Sequence, residues 1–257
     1  DLQLRFGLSR TMARPNLADI APTTSANGLS LTISKKNPYL KPFLADNADL
    51  TAEWYFAKGA VLGASAFYKK LNTLIRSSSS SESINVEVIG SDGSTSNRDL
   101  LFTVNALENA SGVTLKGFEL YYQQAFTTLP QPFDGLGVSA NYTFIDNSDP
   151  MLLTAASKHN FNVTSYYEKG PVGVRLSYAW RGEYLSTAPE FPTMGVKTRA
   201  FGTLDGSASL QLTDSASLSI EAVNILGTAH KTKWLTDLPN NYSYSGRRIL
   251  FGGRVSF

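Results

Sequence analysis

Apolar and polar residues alternate along the last stretch of the chain, from Arg248 to Phe257. Four apolar residues fall on one parity of this stretch: Ile249, Phe251, Val255 and Phe257. Arg254 and Ser256 fall on the other parity. Because successive side chains of a strand point to opposite faces of the sheet, the segment predicts a β-strand with one apolar and one polar face. The same alternation runs through 172–181 and 204–212.

Extending this pattern along the chain predicts ten strands. They lie near 2–13, 49–57, 60–75, 113–126, 136–146, 159–168, 172–181, 204–212, 217–233 and 248–257. Most span about 10 to 15 residues, whereas strands in ordinary sheets average about 5–6 residues. Long strands in this number, with hardly any helical pattern, predict an all-β fold: an antiparallel up-and-down transmembrane β-barrel.

The predicted connections alternate between short and long. Short ones lie near 57–60, 169–171 and 213–216, with a slightly longer one, rich in proline and glycine, near 127–135. Long ones lie near 14–48, 76–112, 147–158, 186–199 and 234–244. Outer-membrane barrels have short periplasmic turns and long extracellular loops, so the alternation favours a membrane barrel. A soluble antiparallel barrel or sandwich, with its apolar face inward, remains the alternative.

The polar parity of the predicted strands carries six charged residues. A Lys or Arg on the lipid face near the bilayer midplane costs about 2–4 kcal/mol, so these residues are expected to face the lumen. They are Glu53, Glu119, Arg175, Asp205, Glu221 and Arg254, with Leu176, Leu204, Ile220 and Val255 expected to face lipid. Aromatic residues near strand ends would form the interfacial girdles: Trp54, Tyr68, Tyr122, Tyr142, Tyr167, Tyr178 and Trp180.

Composition narrows the function classes. Charged residues make up 17% of the 257 residues, where about 25% is usual for soluble domains. A net charge of +2 with scattered basic residues gives no reason to expect nucleic acid as a partner. Cysteine is absent, which excludes disulfides and thiolate metal sites. No apolar run approaches the roughly 18 residues of a membrane helix.

Seven short motifs occur in order along nearly the whole chain. They are Ser9–Leu17 (SRTMARPNL), Asn37–Pro42 (NPYLKP), Asp49–Phe56 (DLTAEWYF), Ala66–Lys70 (AFYKK), Leu115–Leu120 (LKGFEL), Glu221–Leu226 (EAVNIL) and Gly246–Arg248 (GRR) before the terminal Phe257. Each is weak alone, but together they resemble the TonB-dependent outer-membrane receptors. The wording of Arg14–Ile20 (RPNLADI) is most similar to a subgroup common in Xanthomonas and Caulobacter.

The resemblance implies a 22-stranded barrel, an N-terminal plug and a TonB box. Residues 1–257 would form the last ten strands, with the plug and the first part of the barrel outside this chain. The implied function is TonB-dependent active transport of a scarce nutrient across a Gram-negative outer membrane, with carbohydrate favoured and siderophore-bound iron next. The alternative is a passive ten-stranded pore or structural barrel, because open sheet edges are very costly in lipid.

The resemblance also implies partners. These would be outer-membrane lipid, the TonB–ExbB–ExbD complex acting through the plug, and a small extracellular ligand. The barrel assembly machinery would recognise the last strand through Ile249, Phe251, Val255 and Phe257.

Residues of the loops and the upper lumen are the candidate ligand contacts: Asn147, Arg181, Glu183, Trp234, Asn240, Asn241, Tyr242 and Tyr244. Aromatic rings stack on sugar faces while amides and charges bind hydroxyls, so this mixture suits a glycan. It also suits a catecholate iron chelate, which Arg181 and Lys233 would attract. For any one residue, loop packing is an equally good interpretation.

The sequence offers little support for a catalytic or a metal-binding site. His159 and His230 are the two histidines, and His159 with Ser157 and Asp149 lacks a supporting pattern for a hydrolase. Asp46 and Asp49 lack the glycine and terminal glutamate of a calcium loop. The run Ser77–Ser81 is expected at a mobile loop tip. The sequence thus predicts no enzyme, no cofactor and no metal site.

Overall fold

The computed structural model describes residues 1–189 and 194–256 of the chain. These ranges contain sixteen strands, one short 3-10 helix (Phe133–Gly135) and no α-helix. The strands are β1 (Leu2–Ala13), β2 (Thr24–Asn27), β3 (Thr32–Lys35), β4 (Phe43–Ala57), β5 (Ala60–Ile89), β6 (Thr95–Ala125), β7 (Leu136–Asn147), β8 (His159–Lys169), β9 (Val172–Arg181), β10 (Tyr184–Thr187), β11 (Val196–Thr198), β12 (Phe201–Thr213), β13 (Ala216–Val223), β14 (His230–Trp234), β15 (Pro239–Ser243) and β16 (Arg248–Val255).

Ten of these strands form one antiparallel meander, which we call the wall. Its order is β1-β4-β5-β6-β7-β8-β9-β12-β13-β16, and each strand pairs with the next along the path. The all-β meander of ten strands predicted from the sequence is confirmed. The sheet is not closed, because β1 and β16 lie at its two edges.

Two-residue turns join the wall strands at one end, near 58–59, 170–171 and 214–215. Gly59 and Gly170 have φ values of 71° and 57°, a left-handed conformation that glycine adopts without steric cost. We call this the turn end of the wall and the opposite end the loop end. The short turns predicted at these three places are confirmed.

The wall has two chemically different faces. Directly opposed residues of an antiparallel pair share a face, so the register groups the side chains. Leu210 lies opposite Val172 and Leu218, whereas Ser207 lies opposite Arg175 and Glu221. The apolar face carries Leu176, Leu204, Ile220 and Val255, and the polar face carries Glu53, Glu119, Arg175, Asp205, Glu221 and Arg254. The predicted division into faces agrees with this register.

Aromatic rings of the apolar face cluster at both ends of the wall. Trp54, Phe56 and Tyr122 contact one another at the turn end, with ring centroids 5.3 and 6.2 Å apart. Toward the loop end, Phe118 stacks on Phe144 at 5.4 Å and Phe161 stacks on Trp180 at 5.5 Å. Such belts are typical of the two interfaces of a membrane barrel.

The predicted loop 76–112 is wrong, because β5 and β6 continue through it as a long hairpin with its tip at 90–94. The expected loop tip Ser77–Ser81 is a paired part of β5, opposite 103–107. The hairpin is stable because it has a small core of its own, in which Ile33, Phe102 and Val104 are buried. Ile33 comes from β3, which pairs in parallel with β6 over 103–106.

The predicted strand 217–233 is confirmed as far as Val223 and is wrong beyond it. β13 ends at Val223, and Asn224 and Gly227 then take positive φ values of 56° and 67° that turn the chain out of the wall. The chain resumes as β14 in a second sheet of order β10-β11-β14-β15, which we call the small sheet. The predicted strand 49–57 is longer than expected, since β4 begins at Phe43.

No helix within the described ranges is long and apolar enough to cross a membrane.

Candidate functional site

The candidate ligand contacts all lie at or beyond the loop end of the wall. Asn147 and Arg181 are the last residues of β7 and β9, Glu183 follows β9, and the others belong to the small sheet or lie beside it. Within the described residues, no hydrogen bond joins Asn147, Arg181 or Tyr242 to one another. The structure thus places the predicted residues at one end of the molecule, in separate local arrangements.

Arg181 is held by its neighbours rather than left mobile. Its Nε donates to Ser157 Oγ at 2.9 Å and its Nη2 to the Ala155 carbonyl oxygen at 2.5 Å. The guanidinium also lies 3.8 Å from the centre of the Tyr184 ring. Ser157 is buried and donates to the Gly182 carbonyl oxygen at 2.9 Å. Arg181 therefore anchors the loop 148–158 against β9, and its stacked face is fixed in position.

Glu183 belongs to a charged cluster on the small sheet. Its carboxylate lies 2.9 Å from Lys233 Nζ and 3.8 Å from Lys197 Nζ, and Lys233 also lies 2.8 Å from Asp237. The hydrogen bond from Lys233 lowers the pKa of Asp237, and the bonds to Asp237 and Glu183 raise the pKa of Lys233. The two carboxylates balance the two lysines, so this cluster stabilises the small sheet.

Asn147 has a local structural role. Its Nδ2 donates to the Leu153 carbonyl oxygen at 2.8 Å, and its Oδ1 accepts the Asp149 N–H at 3.1 Å. Because the two bonds use both ends of the amide, the side chain orders the loop 148–158.

The remaining predicted contacts lie on β14, β15 and the segment after β15. Trp234 stands opposite Val196 on β11, and its backbone N–H donates to the Leu238 carbonyl oxygen at 2.9 Å. Asn240 and Asn241 are exposed on β15. Tyr242 and Tyr244 are exposed as well, by 63% and 51%, so both rings are available to a ligand.

Tyr242 borders a depression of about 590 Å³ between the small sheet and the loop end of the wall. Its other lining residues include Tyr178, Trp180, Arg199, Phe201, Thr228 and Lys231. The sequence predictions placed Tyr178 and Trp180 in a girdle and did not single out Arg199 and Lys231. The alternating basic residues at 197 and 199, and at 231 and 233, were the available signal.

The residues weighed for catalysis do not assemble. His159 Nδ1 lies 2.7 Å from the Tyr142 hydroxyl, and its ring packs on Phe144, while Ser157 contacts Arg181. His230 packs on Phe201 with ring centroids 4.3 Å apart. Across residues 1–189 and 194–256, no cluster of three or more metal-ligating side chains is found.

Asp46 is occupied by other partners than a metal. It pairs with Arg10 and accepts a hydrogen bond from Asn72 Nδ2 at 2.8 Å.

Three of the four residues proposed to guide assembly lie on β16, at the edge of the wall. Ile249, Phe251 and Val255 are on its apolar face, 62%, 81% and 69% exposed. Phe257 lies outside the described residues. These three side chains form an exposed apolar row along β16.

Residues 1–225 match the model of the TonB-dependent receptor-like β-barrel family. The chain belongs to this family. As a TonB-dependent receptor barrel it also matches solved structures by fold. A mutant of the ferric enterobactin receptor of Pseudomonas aeruginosa has a TM-score of 0.73 at 16% identity, covering 100% of this chain and 38% of that one.

Two further structures give the same picture. The siderophore receptor of Acinetobacter baumannii has a TM-score of 0.72 at 14% identity, covering 100% of this chain and 39% of that one. The ferric-catecholate import receptor of E. coli has a TM-score of 0.64 at 15% identity, covering 100% of this chain and 33% of that one. This chain therefore spans less than two fifths of each of these three receptors. Comparison with curated protein sequences gives no match.

Proposed function

We propose that this chain forms ten wall strands of a TonB-dependent receptor that actively imports a scarce nutrient across a Gram-negative outer membrane. The observation that carries the proposal is the two-faced wall of a chain that belongs to this family. Its apolar face suits lipid, and its charged face suits a water-filled or plugged lumen. TonB–ExbB–ExbD would supply the energy through a plug outside this chain.

Closure of the barrel supports the same proposal. β1 and β16 are edge strands, and unpaired backbone groups at a sheet edge cost several kcal/mol each in hydrocarbon. Further strands of the full-length protein would cover both edges. The passive ten-stranded pore would need β1 and β16 to pair with each other instead.

Carbohydrate is the first candidate ligand, through the subgroup resemblance of Arg14–Ile20. Exposed Tyr242 and Tyr244 beside Asn240 and Asn241 offer rings for sugar faces and amides for hydroxyls. A ferric siderophore is the second candidate. It is favoured by the basic residues at the loop end, and the three solved proteins named above are siderophore or ferric-catecholate receptors by their descriptions.

Uptake by living cells tests the function and the ligand class together. The full-length protein would be returned to a strain that lacks it, and entry of labelled oligosaccharides and ferric catecholates would be measured with and without TonB. We expect saturable uptake of one ligand class that disappears without TonB. Unsaturable uptake that persists without TonB would establish the passive pore instead.

The last strand supports a separate prediction about assembly. Because the family resemblance places an aromatic recognition residue at the C-terminus, deleting Phe257 should lower the amount of folded protein in the membrane and leave ligand affinity per folded molecule unchanged. Heat-modifiability on gels measures the folded fraction. Phe257→Tyr, which keeps an aromatic residue at the last position and on the same parity, is the matched control. Normal assembly with weakened ligand binding would contradict the prediction.

A further inference from the structure

The depression beside Tyr242 differs from the charged face of the wall in where it opens. Two of its lining residues, Tyr178 and Trp180, belong to the apolar face of β9, the face that also carries Leu176. The charged residues Arg175, Asp205 and Glu221 line a different depression on the other face. The site is thus on the outer side of the wall, at its loop end.

Two cations, Arg199 and Lys231, border this depression. Arg199 and Lys231 are exposed neighbours, because the Arg199 N–H donates to the Lys231 carbonyl oxygen at 2.9 Å. Within residues 1–189 and 194–256, neither forms an ion pair, whereas Lys197 and Lys233 are both paired with Glu183. The Asp237 carboxylate is near enough for the charge of Arg199 to help lower its pKa, but Asp237 pairs with Lys233. Two adjacent positive charges in one concave surface favour an anion, above all a phosphate.

The aromatic residues form the lower part of the same surface. Lys231 Nζ lies 5.6 Å from the centre of the Tyr242 ring, and Tyr178 and Trp180 lie below on β9. A Cβ atom at Gly202 would come within 2.2 Å of the Tyr178 hydroxyl oxygen, so this glycine makes room for the tyrosine. Tyrosine and tryptophan prefer the level of the lipid headgroups, where their polar tips stay hydrated.

A second contact of the same kind occurs farther along the loop end. Lys158 Nζ lies 5.5 Å from the centre of the Phe144 ring, and Phe144 lies on the apolar face opposite Phe118. Cations just above an aromatic belt thus occur at two separate places on this face. Cations above aromatic rings match a membrane in which anionic headgroups lie above the hydrocarbon layer.

We infer that the depression between Arg199, Lys231, Tyr242, Tyr178 and Trp180 binds the phosphorylated headgroup of an outer-leaflet lipid. The phosphate would accept hydrogen bonds from Arg199 and Lys231, while the acyl chains would run down the apolar face of β9 and β12. The inference rests on the proposed placement of the wall in the outer membrane. It adds a lipid site on the outer surface, which shares only Tyr242 with the candidate contacts of the imported ligand.

Binding of lipid A to the purified full-length protein in detergent tests the inference. The variant Arg199→Gln/Lys231→Gln removes both charges, and Lys41→Gln/Arg98→Gln removes two exposed charges elsewhere as the matched control. Native mass spectrometry would measure the affinity for diphosphorylated lipid A. We expect a loss of about tenfold or more in the first variant, because hydrogen bonds to charged groups are strong. The control should bind as the wild type does.

Further measurements distinguish binding of a phosphorylated lipid from binding of free phosphate. Lipid A without phosphates should bind the wild type as weakly as the double variant binds the phosphorylated form, and inorganic phosphate should not displace lipid A. The variant Arg199→Lys/Lys231→Arg should restore binding. Full displacement by inorganic phosphate, or unchanged affinity in the double variant, would overturn the inference.

Uptake assays then distinguish the inference from the proposed function. A double variant that binds lipid A normally but loses nutrient uptake would assign the depression to the imported ligand and overturn the lipid site. If the wild type transports nothing yet lipid A binding depends on Arg199 and Lys231, the transport proposal fails and the lipid site stands. The lipid measurement therefore does not depend on finding the nutrient.

Discussion

The wall and the long hairpin of β5 and β6 share one alternation of apolar and polar residues but differ in what their apolar residues contact. In the wall, Leu176 and Leu218 are 46% and 51% exposed. In the hairpin, Phe102 and Val104 are 5% and 2% exposed, because β3 and its neighbours cover them. Alternation therefore predicts a strand and its two faces, whereas the neighbour of the apolar face depends on the rest of the fold.

The largest effect is expected in the hairpin core. Phe102→Ala should destabilise the hairpin locally by about 3–5 kcal/mol, since it leaves a cavity beside Ile33 and Val104. Hydrogen exchange of 76–106 in the purified protein should become faster, while the wall strands stay protected. Leu101→Ala is the matched control, because Leu101 is 64% exposed. Equal protection in both variants would show that the hairpin does not depend on this core.

Assembly of the wall should be more sensitive to a charge introduced on its apolar face than to the removal of an apolar side chain. Leu176→Arg places a cation on the apolar face in the middle of β9, which costs about 2–4 kcal/mol if that face meets lipid. Ser177→Arg is the control one residue away, on the face where Asp205 lies directly opposite. The folded fraction in membranes, measured by heat-modifiability, should fall only in the first variant. Equal assembly of both would contradict the assignment of the lipid face.

Asn224 lies where the chain leaves the wall after β13 and continues to the small sheet. Its Nδ2 donates to the Thr228 and Gly246 carbonyl oxygens at 3.0 and 3.1 Å, and its Oδ1 accepts the Thr228 N–H at 2.8 Å. Asn224→Ala should cost about 1–3 kcal/mol, because buried partners lose their hydrogen bonds. Asn224→Gly keeps the positive φ but also loses these bonds, so it should be destabilised too. Chemical denaturation would measure both, and a fully stable glycine variant would show that only the backbone conformation matters.

The smallest effect concerns the charges of the small sheet. The hydrogen bond from Lys233 lowers the pKa of Asp237 below 3.8 in the folded protein. The ionised Asp237 therefore stabilises the small sheet fully above about pH 4, and this stabilisation is lost as the pH falls through the pKa of Asp237 in the folded protein. The pKa of Lys233 is raised above 10.5, so the lysine stays charged throughout that range. Fluorescence of Trp234, with Trp54 and Trp180 replaced by Phe, should change below pH 4. Asp237→Asn should remove this transition, and a midpoint above pH 4 would contradict it.

Much of the wall could be predicted because its physics is local. Strands β1, β7, β8 and β9 begin and end within a residue or two of the predicted bounds. Their turns contain glycine or a short polar pair, and their faces follow from the cost of a charge in lipid. The family motifs added the strand number of the whole barrel, which no segment of this chain specifies.

The hairpin and the site were harder to predict because their partners are distant in sequence. Serine is a poor marker of a strand, so Ser77–Ser81 looked like a loop, although Ile84, Val86 and Phe102 nearby alternate as a strand does. The pairing with β3 depends on a segment about 70 residues away. The depression likewise joins residues of β9, β12, β14 and β15, and only the fold brings Arg199 beside Lys231.

The hairpin also has a mechanical consequence. β4 pairs with β5 no farther than Thr73, so residues 74–89 extend beyond the wall by about 50 Å at roughly 3.3 Å per residue. Since β3 is paired in parallel to β6, the segment between β1 and β4 is attached to this projecting arm. A force applied at the tip therefore acts with a long lever, and it is transmitted to the first connection of the wall as well as to β5 and β6.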